Sequence, residues 1–183
     1  MDTYTIPRSG VVVSLHLGDI TTAATEAIVT AANSELAGGG GVDAAVHKAA
    51  GPELLISLRM FGSCPTGSAV VTPSFGLKEG GTEFVIHAVG PVWNGGGYGE
   101  EEQLQSAYES ALDVAVENGM RSIAFPSIST GVYGYPVELA ADVAVRAVLL
   151  RGRSETCSLR AISFYLFDDQ TFSEFERALN EHR

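Results

Sequence analysis

Cationic side chains are scarce in this sequence. Its 11 Lys and Arg stand against 22 Asp and Glu, which gives a formal net charge of -11. Proteins that bind the backbone of DNA or RNA neutralise its phosphates with Lys and Arg, so we expect no nucleic-acid partner. A small anionic ligand is still compatible with this charge, because backbone N–H groups and helix N-termini bind phosphates without a cationic side chain.

The sequence is also poor in cysteine and has no long apolar run. Its two cysteines, Cys64 and Cys157, are far apart and form no C-x-x-C pair, so neither a disulfide framework nor a zinc site is predicted. The N-terminus has no apolar segment typical of a signal peptide, and no run of about 18 apolar residues occurs anywhere. We therefore expect reduced thiols, no membrane partner and a cytoplasmic protein.

Several common signatures of catalytic or nucleotide-binding sites are missing. No G-x-G-x-x-G fingerprint is present, the best match to a Walker A loop (residues 62–68) lacks its lysine, and no G-x-S-x-G elbow occurs. His, Asp and Glu form no cluster with metal-ligand spacing along the chain, and His87 has the pattern of a core histidine. These absences weaken the case for a nucleotide-dependent oxidoreductase and predict a site with no metal and no cofactor.

What the sequence does contain is an alternation of apolar strands and helices. With 183 residues, of which 45% are apolar, it can bury one full core and predicts a single domain. Strands are predicted over residues 11–17, 27–31, 68–72, 82–89, 122–125 and 161–167, and helices over 42–50, 53–60, 101–117, 136–151 and 171–180. This order predicts an α/β fold with a mostly parallel sheet covered on both faces.

Glycine-rich segments follow three of the predicted strands. They are Gly18, Gly38 to Gly41, and the pair Gly131 and Gly134. Ligands of parallel sheets bind beyond the C-terminal ends of the strands, where these segments converge. Gly38 to Gly41 would let the backbone approach a phosphate or ribose closely, and the helix that follows offers unpaired N–H groups. The alternative is a flexible connection without a ligand.

Polar side chains flank the four glycines. Asp43 and His47 are four residues apart, so they share one face of the predicted helix and could contact the same ligand. An aspartate within reach of a ligand-bound water is a candidate general base, whereas the alternative role is to complement the helix dipole. Asn33 carries donors and an acceptor suited to ribose hydroxyls, or else forms an Asx turn. The segment 126–136 could form an anion-binding nest from successive N–H groups.

Five separated motifs together resemble macrodomains of the MacroD-like class. They are GDIT at Gly18, TAANSELAGGGGVDAAVHKAAG at Thr30, CPTGSA at Cys64, VIHAVGP at Val85 and RSIAFPSISTGVYGYP at Arg121. The resemblance covers nearly the whole chain and implies a three-layer α/β/α sandwich with a mixed, mostly parallel sheet. It also implies binding of ADP-ribose and ADP-ribosylated proteins, and hydrolysis of mono-ADP-ribose from acidic side chains and of O-acetyl-ADP-ribose.

The resemblance also implies roles for individual residues. Asn33, Asp43 and His47 match the catalytic set, with Asn33 holding the distal ribose. Asp19 would accept from the adenine amino group, and Phe167 would lie against adenine. The other implied ligand contacts are Ile20 near adenine, Gly39, Gly40, Gly41 and Val42 in the glycine-rich loop, and Ser129, Thr130, Gly131, Val132 and Tyr133 around the diphosphate, with Tyr133 also bracing the distal ribose.

Two positions depart from the family pattern, and Ala44, in place of the glycine that often follows the aspartate, is the less consequential one. Thr30 stands where the family usually has the first asparagine of Asn-Ala-Ala-Asn, so a hydroxyl replaces an amide. We expect this change to affect the rate more than binding. In the predicted mechanism, a water molecule is held between Asp43 and the diphosphate, and either Asp43 or a phosphate oxygen takes its proton. The rival hypothesis is a module that binds ADP-ribosylated proteins without cleaving them.

Overall fold

The computed structural model describes residues 2–183 and contains one seven-stranded sheet with five α-helices. The elements are β1 (Asp2–Thr5), β2 (Val12–Leu17), β3 (Ala27–Ala31), α1 (Gly41–Ala50), α2 (Glu53–Leu58), β4 (Ala69–Pro73), β5 (Phe84–Ala88), α3 (Glu100–Glu117), β6 (Ser122–Phe125), α4 (Val137–Gly152), β7 (Ala161–Leu166) and α5 (Asp169–His182). Two 3-10 turns, Ile20–Thr22 and Phe75–Gly80, lie in the connections.

The sheet is mixed, with a parallel centre and antiparallel edges. Its strand order is β1-β2-β7-β6-β3-β5-β4, in which β1 and β4 run antiparallel to their neighbours and the other pairings are parallel. The predicted α/β sandwich is therefore confirmed. The sequence analysis missed β1, because this edge strand is only four residues long and carries no apolar run that marks a strand.

Separate hydrophobic cores cover the two faces of the sheet. The larger core joins α3, α4 and α5 to one face through Val29, Phe125 and Phe164, among others. The smaller core joins α1 and α2 to the opposite face, where Val46 and Leu54 pack with Ile28 and Val85. Adjacent residues of β3 thus belong to different cores, because successive side chains of a strand point to opposite faces of the sheet.

The helix boundaries agree with the predicted ones to within two residues. The predicted end of α1 at residue 50 is confirmed, since Gly51 ends the helix with φ 90° and its N–H donates to the carbonyl of His47. Glu100 begins α3, one residue before the predicted start. Its side chain is buried and accepts hydrogen bonds from the backbone N–H groups of Asn94, Gly96 and Tyr98.

The structure bears on two of the expectations, those about membrane-spanning helices and about the cysteines. Within residues 2–183, no helix combines the length and the apolar character that crossing a bilayer requires. Both Cys64 and Cys157 are free thiols.

Candidate ligand-binding site

A cavity of about 650 Å³ opens beyond the C-terminal ends of the parallel strands. Loops that follow β2, β3, β6 and β7 form its walls, so the edge predicted from the glycine-rich segments is the edge that carries the cavity. The residues with predicted ligand contacts that line it are Asp19, Ile20, Asn33, Gly39, Gly40, Gly41, Val42, Ser129, Thr130, Gly131, Val132, Tyr133 and Phe167.

One end of the cavity is formed by Asp19 and Phe167. Asp19 caps the short turn Ile20–Thr22, where its Oδ1 accepts from both the N–H and the hydroxyl of Thr21 at 2.8 Å. Phe167 follows β7 directly and is 88% exposed. An exposed aromatic ring at the rim of a cavity offers a flat apolar surface on which a planar ligand group can stack.

The middle of the cavity is lined by a strained turn after β6. Ser129 has a left-handed backbone with φ 67°, and its carbonyl accepts from the N–H of Tyr135 at 3.0 Å. Within residues 2–183, the backbone N–H groups of residues 129–133 have no acceptor. A run of unpaired N–H groups beside a cavity is suited to an anion, which agrees with the nest predicted from the sequence.

Gly90 permits the close packing behind this turn. A Cβ atom at Gly90 would lie 2.2 Å from the Oγ of Ser129 and 2.5 Å from the Cγ2 of Ile128. Only glycine therefore lets the end of β5 approach the strained turn so closely. The sequence analysis did not single out this glycine, because its neighbour in space lies 39 residues further along the chain.

The other end of the cavity is the loop with four glycines, and Asn33 holds it. The Nδ2 of Asn33 donates to the carbonyl of Gly38 at 3.0 Å, and its Oδ1 accepts from the N–H of Ala37 at 3.1 Å. Gly38 and Gly41 adopt left-handed conformations, with φ 78° and 56°. Both roles considered for Asn33 are thus compatible with its position, since the amide closes a turn and still lines the cavity.

Asp43 and His47 do share one face of α1, but this face does not line the cavity. Asp43 is only 2% exposed, and the Oδ2 of Asp43 lies 3.6 Å from the Nε2 of His47. The buried positions of α1 are Asp43, Val46 and Ala50, a helical spacing that places Asp43 on the stripe facing the sheet. Neither side chain lines the cavity in this conformation, and their contact with a ligand stays a prediction.

Gly39, which lines the cavity, lies beside the Asp43 carboxylate. A Cβ atom at Gly39 would lie 3.5 Å from the Oδ2 of Asp43 and 3.7 Å from the Nδ2 of Asn33. Burial raises the pKa of Asp43, whereas the Thr30 hydroxyl, His47 and the Gly39 N–H act in the opposite direction. The carboxylate is therefore one residue away from the end of the cavity that Asn33 lines.

Thr30 and His87 complete the surroundings of Asp43, and the sequence analysis did not connect either of them to it. The Thr30 hydroxyl donates to Oδ1 of Asp43 at 2.8 Å. His87 is opposite Thr30 in the parallel pairing of β3 with β5. Burial and the neighbouring His47 lower the pKa of His87 to about 3, so its imidazole is neutral. The signal that could have found it is this strand register, which brings His87 to the face covered by α1.

The comparison with known proteins agrees with this arrangement. A family model described as Macro domain matches residues 29–144, a span that contains the loop after β3 and the turn after β6. The chain belongs to the macro domain family. This macro domain protein is 48% identical over 172 residues to a Citrobacter rodentium protein named O-acetyl-ADP-ribose deacetylase, and the match covers 90% of this chain and 93% of that protein.

Solved macrodomain structures have the same fold. The Oceanobacillus iheyensis macrodomain with ADP superimposes with a TM-score of 0.90 at 37% identity, covering 98% of this chain and 95% of that one. The Trypanosoma brucei macrodomain in complex with ADP-ribose gives a TM-score of 0.86 at 35% identity, covering 96% of this chain and 71% of that one. The family implied by the five sequence motifs is thus confirmed, as is its three-layer fold.

Proposed function

We propose that this macro domain protein binds ADP-ribose and hydrolyses bonds at its distal ribose. Its substrates are mono-ADP-ribose attached to acidic side chains of proteins, and O-acetyl-ADP-ribose. The observation that carries the proposal is the run of unpaired N–H groups of residues 129–133 in the middle of an elongated cavity. Because the net charge of the chain is -11, we infer that these backbone N–H groups, and not cationic side chains, bind the diphosphate.

The remaining walls of the cavity match the two ends of ADP-ribose. At one end, Asp19 supplies a carboxylate that accepts from the adenine amino group, and Phe167 supplies a ring for the base. At the other end, Asn33 and the glycine-rich loop receive the distal ribose, and Tyr133 braces it. The diphosphate lies between these ends.

The reaction is hydrolysis without a covalent intermediate. The oxygen of a water molecule forms a bond to the acyl carbon or to the anomeric carbon of the distal ribose, the ester C–O bond breaks, and a proton passes to the leaving oxygen. The water gives a proton to Asp43 or to a phosphate oxygen of the substrate. Asp43 reaches this water when the backbone at Gly39 moves aside, which a loop of four glycines permits.

The names of relatives support hydrolysis. Two proteins that are 48% identical to this chain are named O-acetyl-ADP-ribose deacetylase, one from Citrobacter rodentium and one from Klebsiella pneumoniae. Other relatives of comparable identity carry only the description of a macro domain-containing protein. The names therefore favour deacetylation of O-acetyl-ADP-ribose, and they support removal of ADP-ribose from proteins only indirectly.

The second candidate function is a module that binds ADP-ribosylated proteins without cleaving them. The specific observation in its favour is the burial of Asp43, which is 2% exposed and lies behind Gly39. A binding module needs the cavity but no base beside the scissile bond.

Two measurements on the wild-type protein distinguish these functions. The protein is titrated with ADP-ribose in a calorimeter, and it is incubated separately with a Glu-linked mono-ADP-ribosylated protein and with O-acetyl-ADP-ribose. We expect heat of binding, release of free ADP-ribose from the protein and release of acetate. Binding without either product would select the non-catalytic module. The absence of binding would overturn both functions.

A further inference from the structure

Behind the glycine-rich loop lies a cluster of three side chains that are common metal ligands. One carboxylate oxygen of Asp43 and one imidazole nitrogen each of His47 and His87 lie within 4.8 Å of one another. The sequence analysis found no metal-ligand spacing, because His87 belongs to β5 and is 40 residues from His47. The packing of α1 against the sheet brings the three together.

His87 presents a buried nitrogen that has no partner. The residue is completely buried, its Nε2 lies 3.0 Å from the Thr72 hydroxyl, and its Nδ1 has no hydrogen-bond partner. A buried polar atom without a partner is costly, and the few cases in native proteins call for an explanation. A neutral imidazole whose Nε2–H donates to Thr72 keeps a lone pair on Nδ1, which is the form that binds a metal ion.

The distance between Asp43 and His47 is that of two metal ligands more than that of a hydrogen bond. The Oδ2 of Asp43 and the Nε2 of His47 are 3.6 Å apart, which is too long for a hydrogen bond. Two ligand atoms of a tetrahedral zinc ion, each about 2.0 to 2.2 Å from the metal, lie about 3.3 to 3.6 Å from each other.

We propose that Asp43, His47 and His87 form a binding site for one zinc ion, with a fourth position open to water. Two imidazoles and one carboxylate are a ligand set that Zn²⁺ accepts. Hydroxyls of Thr30 and Thr72 hold Asp43 and His87 from behind, as the outer partners of metal ligands do. His47, with 17% of its side chain exposed, is the ligand through which the ion enters from solvent.

Zinc at this position would affect the proposed hydrolysis, an effect that rests on the proposed function. The Asp43 carboxylate would coordinate the ion, and this coordination would hold the carboxylate away from the water in the cavity. Because none of the three ligands lines the cavity, ADP-ribose binding would be unchanged. We therefore expect zinc to inhibit turnover without competing with ADP-ribose.

Zinc binding itself is tested without any substrate. The protein is stripped with a chelator, and Zn²⁺ is titrated against a chromophoric chelator. Co²⁺ is then added to the stripped protein as a spectroscopic probe. We expect one equivalent of Zn²⁺ and visible absorption bands typical of four-coordinate Co²⁺. His47→Ala should weaken zinc binding by about 100-fold or more, because it removes one of three protein ligands.

The matched control is the second His-containing cluster of the described residues, formed by Asp142, Glu181 and His182. In that cluster Arg177 already pairs with both carboxylates, so it should not retain a cation. His182→Ala should therefore leave zinc affinity unchanged. A folded His47→Ala protein, recognised by normal ADP-ribose binding, that keeps full zinc affinity would overturn the proposal, as would failure of the wild type to bind zinc.

A second variant, Asp43→Asn, tests the proposal if His47→Ala does not fold. Asp43→Asn has nearly the same shape as Asp43 and removes the anionic ligand, so it should also lose zinc affinity and the Co²⁺ bands. Full retention of both would overturn the proposal. Zinc binding by a protein without hydrolase activity would reject only the proposed function, whereas activity that is unchanged by saturating zinc would reject only the inhibition.

Discussion

The hydroxyl of Thr30 donates a 2.8 Å hydrogen bond to Oδ1 of Asp43, and both residues are buried. At this position the threonine fixes one oxygen of the carboxylate and leaves the other directed toward Gly39 and His47. Thr30 thus positions the carboxylate of Asp43, which belongs to the next helix. Its position in β3, directly beneath α1, is what allows this contact.

Replacing Thr30 with valine tests this contact. Valine has the shape of threonine but lacks the hydroxyl, so the variant should lose about 1.5 to 3 kcal/mol of unfolding free energy, as expected for a buried hydrogen bond to a charged group. We expect a lower kcat with an unchanged Kd for ADP-ribose, measured by acetate release and calorimetry. Thr30→Ser keeps the hydroxyl and is the control. A loss in Thr30→Ser with none in Thr30→Val would show that the methyl group, and not the hydrogen bond, matters.

Asp43 is tested by a pair of substitutions. Because Asp43 does not line the cavity, Asp43→Ala and Asp43→Asn should bind ADP-ribose within about 3-fold of the wild type while kcat falls by about 100-fold or more, the typical contribution of a general base. Asparagine keeps an oxygen that accepts from the Thr30 hydroxyl but has no charge. This variant therefore distinguishes the effect of the charge from the effect of the hydrogen bond. If Asp43→Asn turns over normally and Asp43→Ala does not, Asp43 acts by positioning the loop.

Asp19 is expected to contribute to affinity. Its carboxylate lines the cavity beside Phe167, and a hydrogen bond to a charged group is worth about 1.5 to 3 kcal/mol. Asp19→Ala should therefore weaken ADP-ribose binding by about 10-fold to 150-fold in calorimetry. The affinity for ribose 5-phosphate, which has no adenine, should not change. A proportional loss for both ligands would mean that Asp19 acts only by capping the turn Ile20–Thr22.

The surroundings of Glu100 predict that the stability of the folded protein depends on pH. Burial alone would raise the pKa of its carboxyl, but hydrogen bonds from the backbone N–H groups of Tyr98, Asn94 and Gly96 outweigh burial and lower it below the ordinary value of 4.5. A carboxyl whose pKa is lower in the folded state stabilises the fold above its ordinary pKa, and this stabilisation is lost as the pH falls through the folded-state value.

Glu100→Gln should therefore be less stable than the wild type near pH 7, and the difference should shrink in acid. Urea unfolding at a series of pH values between 7 and the acid range measures it. The exposed neighbour Glu102 belongs to the same first turn of α3, so Glu102→Gln is the control and should show little effect. A stability difference for Glu100→Gln that is the same at all pH values would contradict this assignment.

Much of the fold could be predicted from local patterns. The apolar runs that became β2, β3 and β6 were visible in the sequence, as was the glycine that ends α1. The short strand β1 was not, since it is recognisable only by its pairing with β2. The start of α3 was predicted one residue late, because the three amides that enclose Glu100 come from the loop before it.

The sequence by itself determined the order of strands and helices, the segments that form the cavity and the membership in the macro domain family. These properties depend on residues that are close together along the chain, such as glycines that follow a strand. Only the tertiary structure decided which way each polar side chain points. It turned Asp43 and His47 away from the cavity toward Thr30 and His87, because the apolar stripe of α1 that packs on the sheet includes position 43. That orientation depends on packing between elements that are far apart in sequence, so the spacing of residues along the chain cannot reveal it.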